Sequence, residues 1–343
     1  MIKGKHDEYP TLSEILQAFN SLFNKVENFL NSKQGFFFIF SAKKTEGSRG
    51  PYYDCTLGDS KKRVEAKVWI SEPGLLEPRP GYIALADYLY DEKFGISLKI
   101  KKNFSIEEME AYSAGSTAQL LPIIPDIERV KAEVSEMIET VENAFLRKLL
   151  ERLIGNNGSC GEFFEAPAAK VYHHALIGGL AKHSLNVAKY ALAIYEISPS
   201  KDSIDRNLIV AASLLHDLGK AKTYSRDDYS FDYTDIGQLE DHIAIGVRLI
   251  DREIGAIDGF PELLASELLH IVLSHHGELQ FGSPVAPKTR EALIIHHCDN
   301  LDAKLDHFDS LVSGTPSGDL WTEFSRMFQG RLYTGNLRTD KDS

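Results

Sequence analysis

Residues 214–220 read Leu214-Leu215-His216-Asp217-Leu218-Gly219-Lys220, and this stretch decides the helical half of the fold. Leu208 to Leu215 is an apolar run that ends in the His-Asp pair, and Gly219 is placed to serve as a left-handed residue closing the helix. Neighbouring residues point about 100° apart on a helix, yet at a helix end an imidazole and a carboxylate can both turn toward one ion. A His-Asp pair alone is common and says little. Its company says more: His183 lies in a helical pattern from about Leu180 to Ile194, His242 starts another, His275-His276 end a third, and Asp299 sits inside IIHHCDNLD. Burying so many imidazoles and carboxylates unpaired is costly, and a divalent cation that takes neutral imidazole and ionised carboxylate as ligands offsets that cost.

Composition sets the outer bounds. The 343 residues are 43% hydrophobic and 26% charged, ordinary globular material of two-domain length. Cys55, Cys160 and Cys298 are far apart with no CxxC pair, which argues against a disulfide framework, a zinc ribbon or a thioredoxin-type site. The N-terminal MIKGKHDEYP has no apolar core for a signal peptide, and the apolar run Phe36–Phe40 is far short of a membrane span, so a cytoplasmic protein is expected. A formal charge of -12 argues against generic nucleic-acid binding, but the charge is uneven. Residues 35–103 hold 12 Lys/Arg against 9 Asp/Glu, and residues 160–310 hold 13 against 23. Eleven of the 12 histidines lie between His173 and His307, so the acidic segment is also the one rich in imidazole.

The chain divides accordingly. Residues 1–34 carry an amphipathic helix over 11–31, with Leu12, Ile15, Leu16, Phe19, Leu22, Phe23, Val26, Phe29 and Leu30 at three- and four-residue steps. That stripe suits packing on its own domain or a homo-oligomer contact. Residues 35–103 read as five short strands, Phe36–Ser41, Tyr52–Leu57, Val64–Ile70, Tyr82–Tyr88 and Gly95–Lys101, separated by Gly/Pro/Asp/Ser clusters. Five strands in such a span predict a small all-β OB-type barrel, a fold whose face stacks single-stranded bases. Tyr52, Tyr53 and Trp69, with Lys61, Lys62, Arg63 and Lys67 nearby, are the candidate nucleic-acid-binding residues. The competing reading makes the aromatics core and the basic residues a solvated turn. Residues 104–125 read as a linker, 126–312 as an all-α helical bundle and 313–343 as a C-terminal tail.

The ordered pattern His183, His216-Asp217, His242, His275-His276, Asp299 resembles the HD phosphohydrolase superfamily. Tyr172-His173-His174-Ala175 with Gly178-Gly179-Leu180, SHHGELQFGSP at 274–284, PKTREA at 287–292, DNLDAKLDHF at 299–308 and the tail WTEFSRMFQGRLY are similar to YhaM-type 3′-to-5′ exoribonucleases. CTLGDSKKRVEAKVW at 55–69 resembles the second and third strands of their OB domain, while the helix at 11–31 departs from the pattern. The resemblance implies one or two divalent metals: His183, His216, Asp217 and Asp299 as ligands of the first, with His242 and His275 matching the additional histidines of two-metal members, in which the HD aspartate bridges the ions. Manganese is the cofactor it implies, and the ligand set also accepts Fe, Co, Zn or Mg. It further implies that Lys220 contacts a phosphate, that His276 and His174 stand near the substrate, and that single-stranded RNA, and DNA beside it, is hydrolysed to nucleoside 5′-monophosphates. No membrane partner is expected. His270, His296, His297, His307 and Cys298 are assigned to structure or surface.

Two other readings stay open at this level: hydrolysis of a small nucleotide or cyclic dinucleotide, and a non-catalytic nucleic-acid-binding protein. The fused barrel argues against the first, and the complete ligand set against the second. LGK at 218–220 lacks P-loop spacing, and no GxSxG elbow occurs.

Overall fold

Alternation of apolar and polar residues builds strands β1 (Lys33–Gly47), β2 (Gly50–Gly58), β3 (Arg63–Trp69), β4 (Ile83–Asp91) and β5 (Gly95–Phe104). The computed structural model describes residues 33–47, 50–58, 63–69, 75–91, 95–113, 123–124, 126–169, 176–225, 231–315 and 319–335. The helix expected at 11–31 lies outside them. The five strands close into a barrel in the order β1-β2-β3-β5-β4, antiparallel throughout except for the β3–β5 pair. Its interior is filled by Phe37, Ile39, Cys55, Leu57, Ala66, Val68, Ala84, Ala86, Leu98 and Ile100, every second residue along each strand. A register shift between Ile39 and Ser41 lets β1 bend from β4 onto β2. The OB-type architecture read from the sequence is present, and β1 runs six residues past its expected end at Ser41 to Gly47, which pairs with Gly50 at φ 108°.

Helices α1 (Ile106–Ser113), α2 (Ile127–Glu139), α3 (Ala144–Ile154), α4 (Gly179–Ile197) and α5 (Arg206–Leu215) follow. After them come the single turn α6 (Lys220–Thr223), α7 (Asp235–Gly255), α8 (Glu262–Ser274) and α9 (Arg290–Gly314). The segment read as a linker therefore contains α1, whose first turn Ser105 caps by accepting the Glu108 N–H. Asn143 caps α3 and Asp205 caps α5, each accepting two backbone N–H groups, a feature worth about 1 kcal/mol apiece. Every residue from Leu208 to Leu215 is buried, so α5 is the central helix of its unit, wrapped by α2, α3, α4 and α8.

The helical unit comprises residues 123–226 and 231–307, and the barrel belongs to a second unit with the stretch from Phe308 onward. The boundary thus falls within α9, a few residues before the expected 312. The expected tail is ordered over 319–335, where Trp321 pairs with Tyr333 and Ser325 with Gly330. Gly219 is not left-handed: its φ is -59° and ψ -24°. Glycine is required there by proximity, because a Cβ at 219 would come 1.9 Å from the His242 carbonyl oxygen. Among the described residues, no helix is long and apolar enough to cross a membrane.

Candidate metal centre

Five helices deliver the polar side chains. His183 comes from the second turn of α4, His216 and Asp217 from the end of α5, His242 from the middle of α7, His275 from the end of α8, and Asp299 from α9. His183, His216, His275 and Asp217 are buried, each no more than 1% exposed, inside a shell of apolar residues. Two clusters form around Asp217: His183, His216, Asp217 and Asp299 in one, Asp217, His242, His275 and His276 in the other. In the first, His183 Nε2 lies 3.1 Å from Asp299 Oδ1 and 3.5 Å from Asp217 Oδ2, and His216 Nε2 lies 3.5 Å from the same Asp217 oxygen. In the second, His242 Nε2 and His275 Nε2 each lie 3.4 Å from Asp217 Oδ1. The two carboxylate oxygens of Asp217 therefore face different clusters.

The tautomers follow from the partners. Nδ1 of His216, His275 and His276 meets the carbonyl oxygens of Ser213, Val272 and Phe281 at 2.8, 2.7 and 2.8 Å, and a carbonyl only accepts. Those Nδ1 atoms carry the proton and donate it. His183 Nδ1 faces Asp302 Oδ2 at 2.7 Å and His242 Nδ1 faces Asp241 Oδ1 at 2.5 Å, also acceptors. All five rings thus turn Nε2 toward the cluster, the arrangement second-layer partners impose on metal-ligating histidines.

A divalent cation fits these residues. Asp217 Oδ1, His242 Nε2 and His275 Nε2 are buried with no hydrogen-bond partner, an arrangement that destabilises the fold unless something charged satisfies them. Ligands that share a metal at about 2.1 Å stand roughly 3.0–3.4 Å apart, close to the donor separations here. Burial opposes ionisation of Asp217, but the Lys220 ammonium, followed by His216, holds its carboxyl well below the usual range. Burial likewise opposes the charged form of Asp299, and the His183 hydrogen bond outweighs it. Burial above all, helped by neighbouring positive groups, pushes His242, His275 and His276 down and so favours the neutral form that a ligand requires.

Lys220 is committed to the centre, with Nζ 2.6 Å from Asp217 Oδ2. His276 was assigned to the substrate side, yet its ring packs 4.4 Å from His275 and joins the second cluster. His174 falls outside the described residues. His296 supports the pair from behind, donating its Nδ1–H to the His275 carbonyl oxygen at 2.8 Å, and its ring leaves no room for a Cβ at Gly277. Asp302, Asp241 and Asn186, whose Nδ2 donates to Asp302 Oδ1 at 2.9 Å, were not anticipated. A signal existed for Asp302, which stands one helical turn after Asp299 and so shares its face.

On the barrel, Tyr52 and Trp69 are cross-strand partners on its outer face, their rings 4.9 Å apart, with Lys67 Nζ 5.0 Å from the Tyr52 ring. Tyr53 does not join them: it packs against the barrel core. Arg63 opens β3, and Lys61 and Lys62 lie outside the described residues.

The helical unit belongs to a recognisable class: residues 180–304 match the family model of the HD domain. The chain thus joins an OB-like barrel to an HD domain, and the HD domain implies a metal-dependent phosphohydrolase whose candidate ligands are the two clusters above. No solved structure matches this chain.

Proposed function

We propose that this chain is a 3′-to-5′ exonuclease that hydrolyses single-stranded RNA, and single-stranded DNA beside it, to nucleoside 5′-monophosphates. The observation that carries the reading is the double cluster converging on Asp217 in the same chain as a barrel whose outer face presents Tyr52, Trp69 and Lys67 together. Polarity and the YhaM-type assignment rest on the resemblance of the motifs at 172–180, 274–292 and 299–308.

Divalent ions, manganese foremost, would be held by His183, His216, Asp217 and Asp299, and by Asp217, His242, His275 and His276. When bound they lower the pKa of a water and neutralise charge on a phosphodiester. The chain's own groups supply the rest. Asp217 presents one oxygen to each cluster and fixes the spacing between them. The Nδ1 partners hold five imidazoles in a single tautomer, so no reorganisation is needed when the substrate arrives. Lys220, buried beside Asp217, places its amino group where a phosphate oxygen and the departing 3′-oxygen gather negative charge. The segment 275–289, which joins α8 to α9 and is pinned by the His276–Phe281 contact, borders the cluster and restricts the approach to a chain end. Base stacking on Tyr52 and Trp69 recruits the strand, which explains how an acidic protein engages a polyanion.

Double replacement of Tyr52 and Trp69 by alanine tests the reading. A stacked base contributes about 1–3 kcal/mol, so KM for a 20-nucleotide RNA rises roughly 10-fold or more while hydrolysis of a dinucleotide is unchanged. Equal loss on both substrates, or a cyclic dinucleotide cleaved faster than RNA by the wild-type protein, contradicts it.

A further inference from the structure

The two clusters are supported in different ways. In the first, His183 is oriented by Asp302, which is 3% exposed and itself fixed by Asn186. In the second, His242 is oriented by Asp241, whose side chain is 73% exposed. The backbone of Asp241 is also exceptional: φ 62° and ψ 160°, inside α7. That region is populated essentially by glycine, since a Cβ there crowds the chain, and another residue persists only where its surroundings over-determine it.

Two demands meet at this position. The helix must break, because its next turn starts with His242, whose carbonyl oxygen is pressed against Gly219. A glycine would meet that demand without strain. What glycine lacks is the carboxylate, and Asp241 Oδ1 accepts both the backbone N–H and the Nδ1–H of His242, each at 2.5 Å. These two bonds lock the ring with Nε2 turned toward Asp217 Oδ1. Both of those atoms, and His275 Nε2 beside them, are buried and unsatisfied. Strain is therefore retained at 241 together with an aimed, vacant lone pair at 242.

We infer that Asp241 is a positioning residue for the second metal position, and that occupancy of this position depends on its carboxylate while the first position does not. The inference rests on the two-cluster reading of the metal centre. Its consequence is a centre with separable affinities: a first ion held by a buried relay and a second set by one solvent-facing side chain on a strained turn.

The experiment uses the full-length protein, stripped of metal, as wild type, Asp241→Gly and Asp241→Asn. Each is titrated with Mn²⁺ by calorimetry, bound metal is counted after desalting, and the metal-free forms are melted. Glycine relieves the strain and removes the carboxylate. Asp241→Gly should melt roughly 2–5 °C higher without metal. It should bind the first ion with wild-type affinity and the second about 10–100-fold more weakly. Asp241→Asn keeps the strain and one acceptor oxygen, so it should melt no higher than wild type and lose less of the second affinity. The inference is overturned if Asp241→Gly melts lower, if it binds both ions as wild type does, or if both affinities fall together. A wild-type protein that binds one ion or none overturns the two-cluster reading itself, a result distinguishable from the others before any variant is made.

Discussion

Replacing Asp302 by asparagine isolates the support of the first metal position with little change of shape. The carboxylate is almost fully buried and accepts two hydrogen bonds, from His183 Nδ1 at 2.7 Å and from Asn186 Nδ2 at 2.9 Å. An amide has one acceptor oxygen and one donor nitrogen, so one of the two contacts becomes donor against donor. If the oxygen faces Asn186, His183 must give up its Nδ1 proton and protonate Nε2, which removes the lone pair aimed at Asp299 and Asp217. If the oxygen faces His183, Asn186 must turn over and the ring keeps its tautomer but loses its anionic partner. Either way the loss of a partner behind a ligand imidazole weakens metal binding by about 10–100-fold, or about 1.4–2.7 kcal/mol. Chelator competition with Mn²⁺ on stripped protein reads this directly, and circular dichroism confirms that the helical unit is intact. Activity should return as Mn²⁺ is raised. A folded Asp302→Asn protein with wild-type affinity for the first ion would refute the relay.

Other outcomes follow from the same geometry. Gly219→Ala drives a methyl into the His242 carbonyl, a backbone atom that cannot swing aside, so the variant loses more than the about 1–3 kcal/mol of ordinary overpacking and its second metal position is disrupted; a melting curve within a degree of wild type would contradict the contact. In the metal-free protein burial disfavours a charged His183, but Asp299 and Asp302 prevail and raise its pKa to about 10. Loading the first position near pH 8 therefore expels about one proton, measurable by calorimetry in two buffers of different protonation enthalpy, and no buffer dependence would contradict it. By the same linkage, the stability that His183 lends the metal-free fold is full below about pH 6.5 and is lost as pH rises toward about 10. Melting temperature without metal should decline across that window, beyond any change seen in Asp302→Asn.

Much of this was legible in the sequence because the signals were local. Short runs between Gly/Pro/Asp/Ser clusters marked the barrel strands, three- and four-residue apolar steps marked α2, and an unbroken apolar run marked α5. His183, His216, Asp217, His242, His275 and Asp299 were visible because polar residues inside apolar helices require a partner. What was not legible depends on distant packing. Gly219 looked like a left-handed cap, and only the path of α7 past it shows that it is a point of closest approach. The outward phase of Tyr52 and the inward phase of Tyr53 were undecidable until the register Tyr52–Trp69 fixed which side of the sheet faced the core. Asp241 gave no sign at all, since a strained turn inside a helix leaves no pattern in composition or periodicity. The place of His276 beside His275 was not legible, because only the curl of the chain at the helix end brings two consecutive residues to one cluster.

The central claim is that Asp217, shared by two metal clusters, drives phosphodiester hydrolysis. The most direct measurement follows 5′-labelled single-stranded RNA with metal-stripped protein, with and without Mn²⁺, beside Asp217→Asn. The account predicts a ladder that shortens from the 3′ end, requires the metal and falls by at least about 100-fold in the variant, whose amide cannot serve both clusters. RNA left intact under every divalent metal, or cleaved equally by Asp217→Asn, would contradict it.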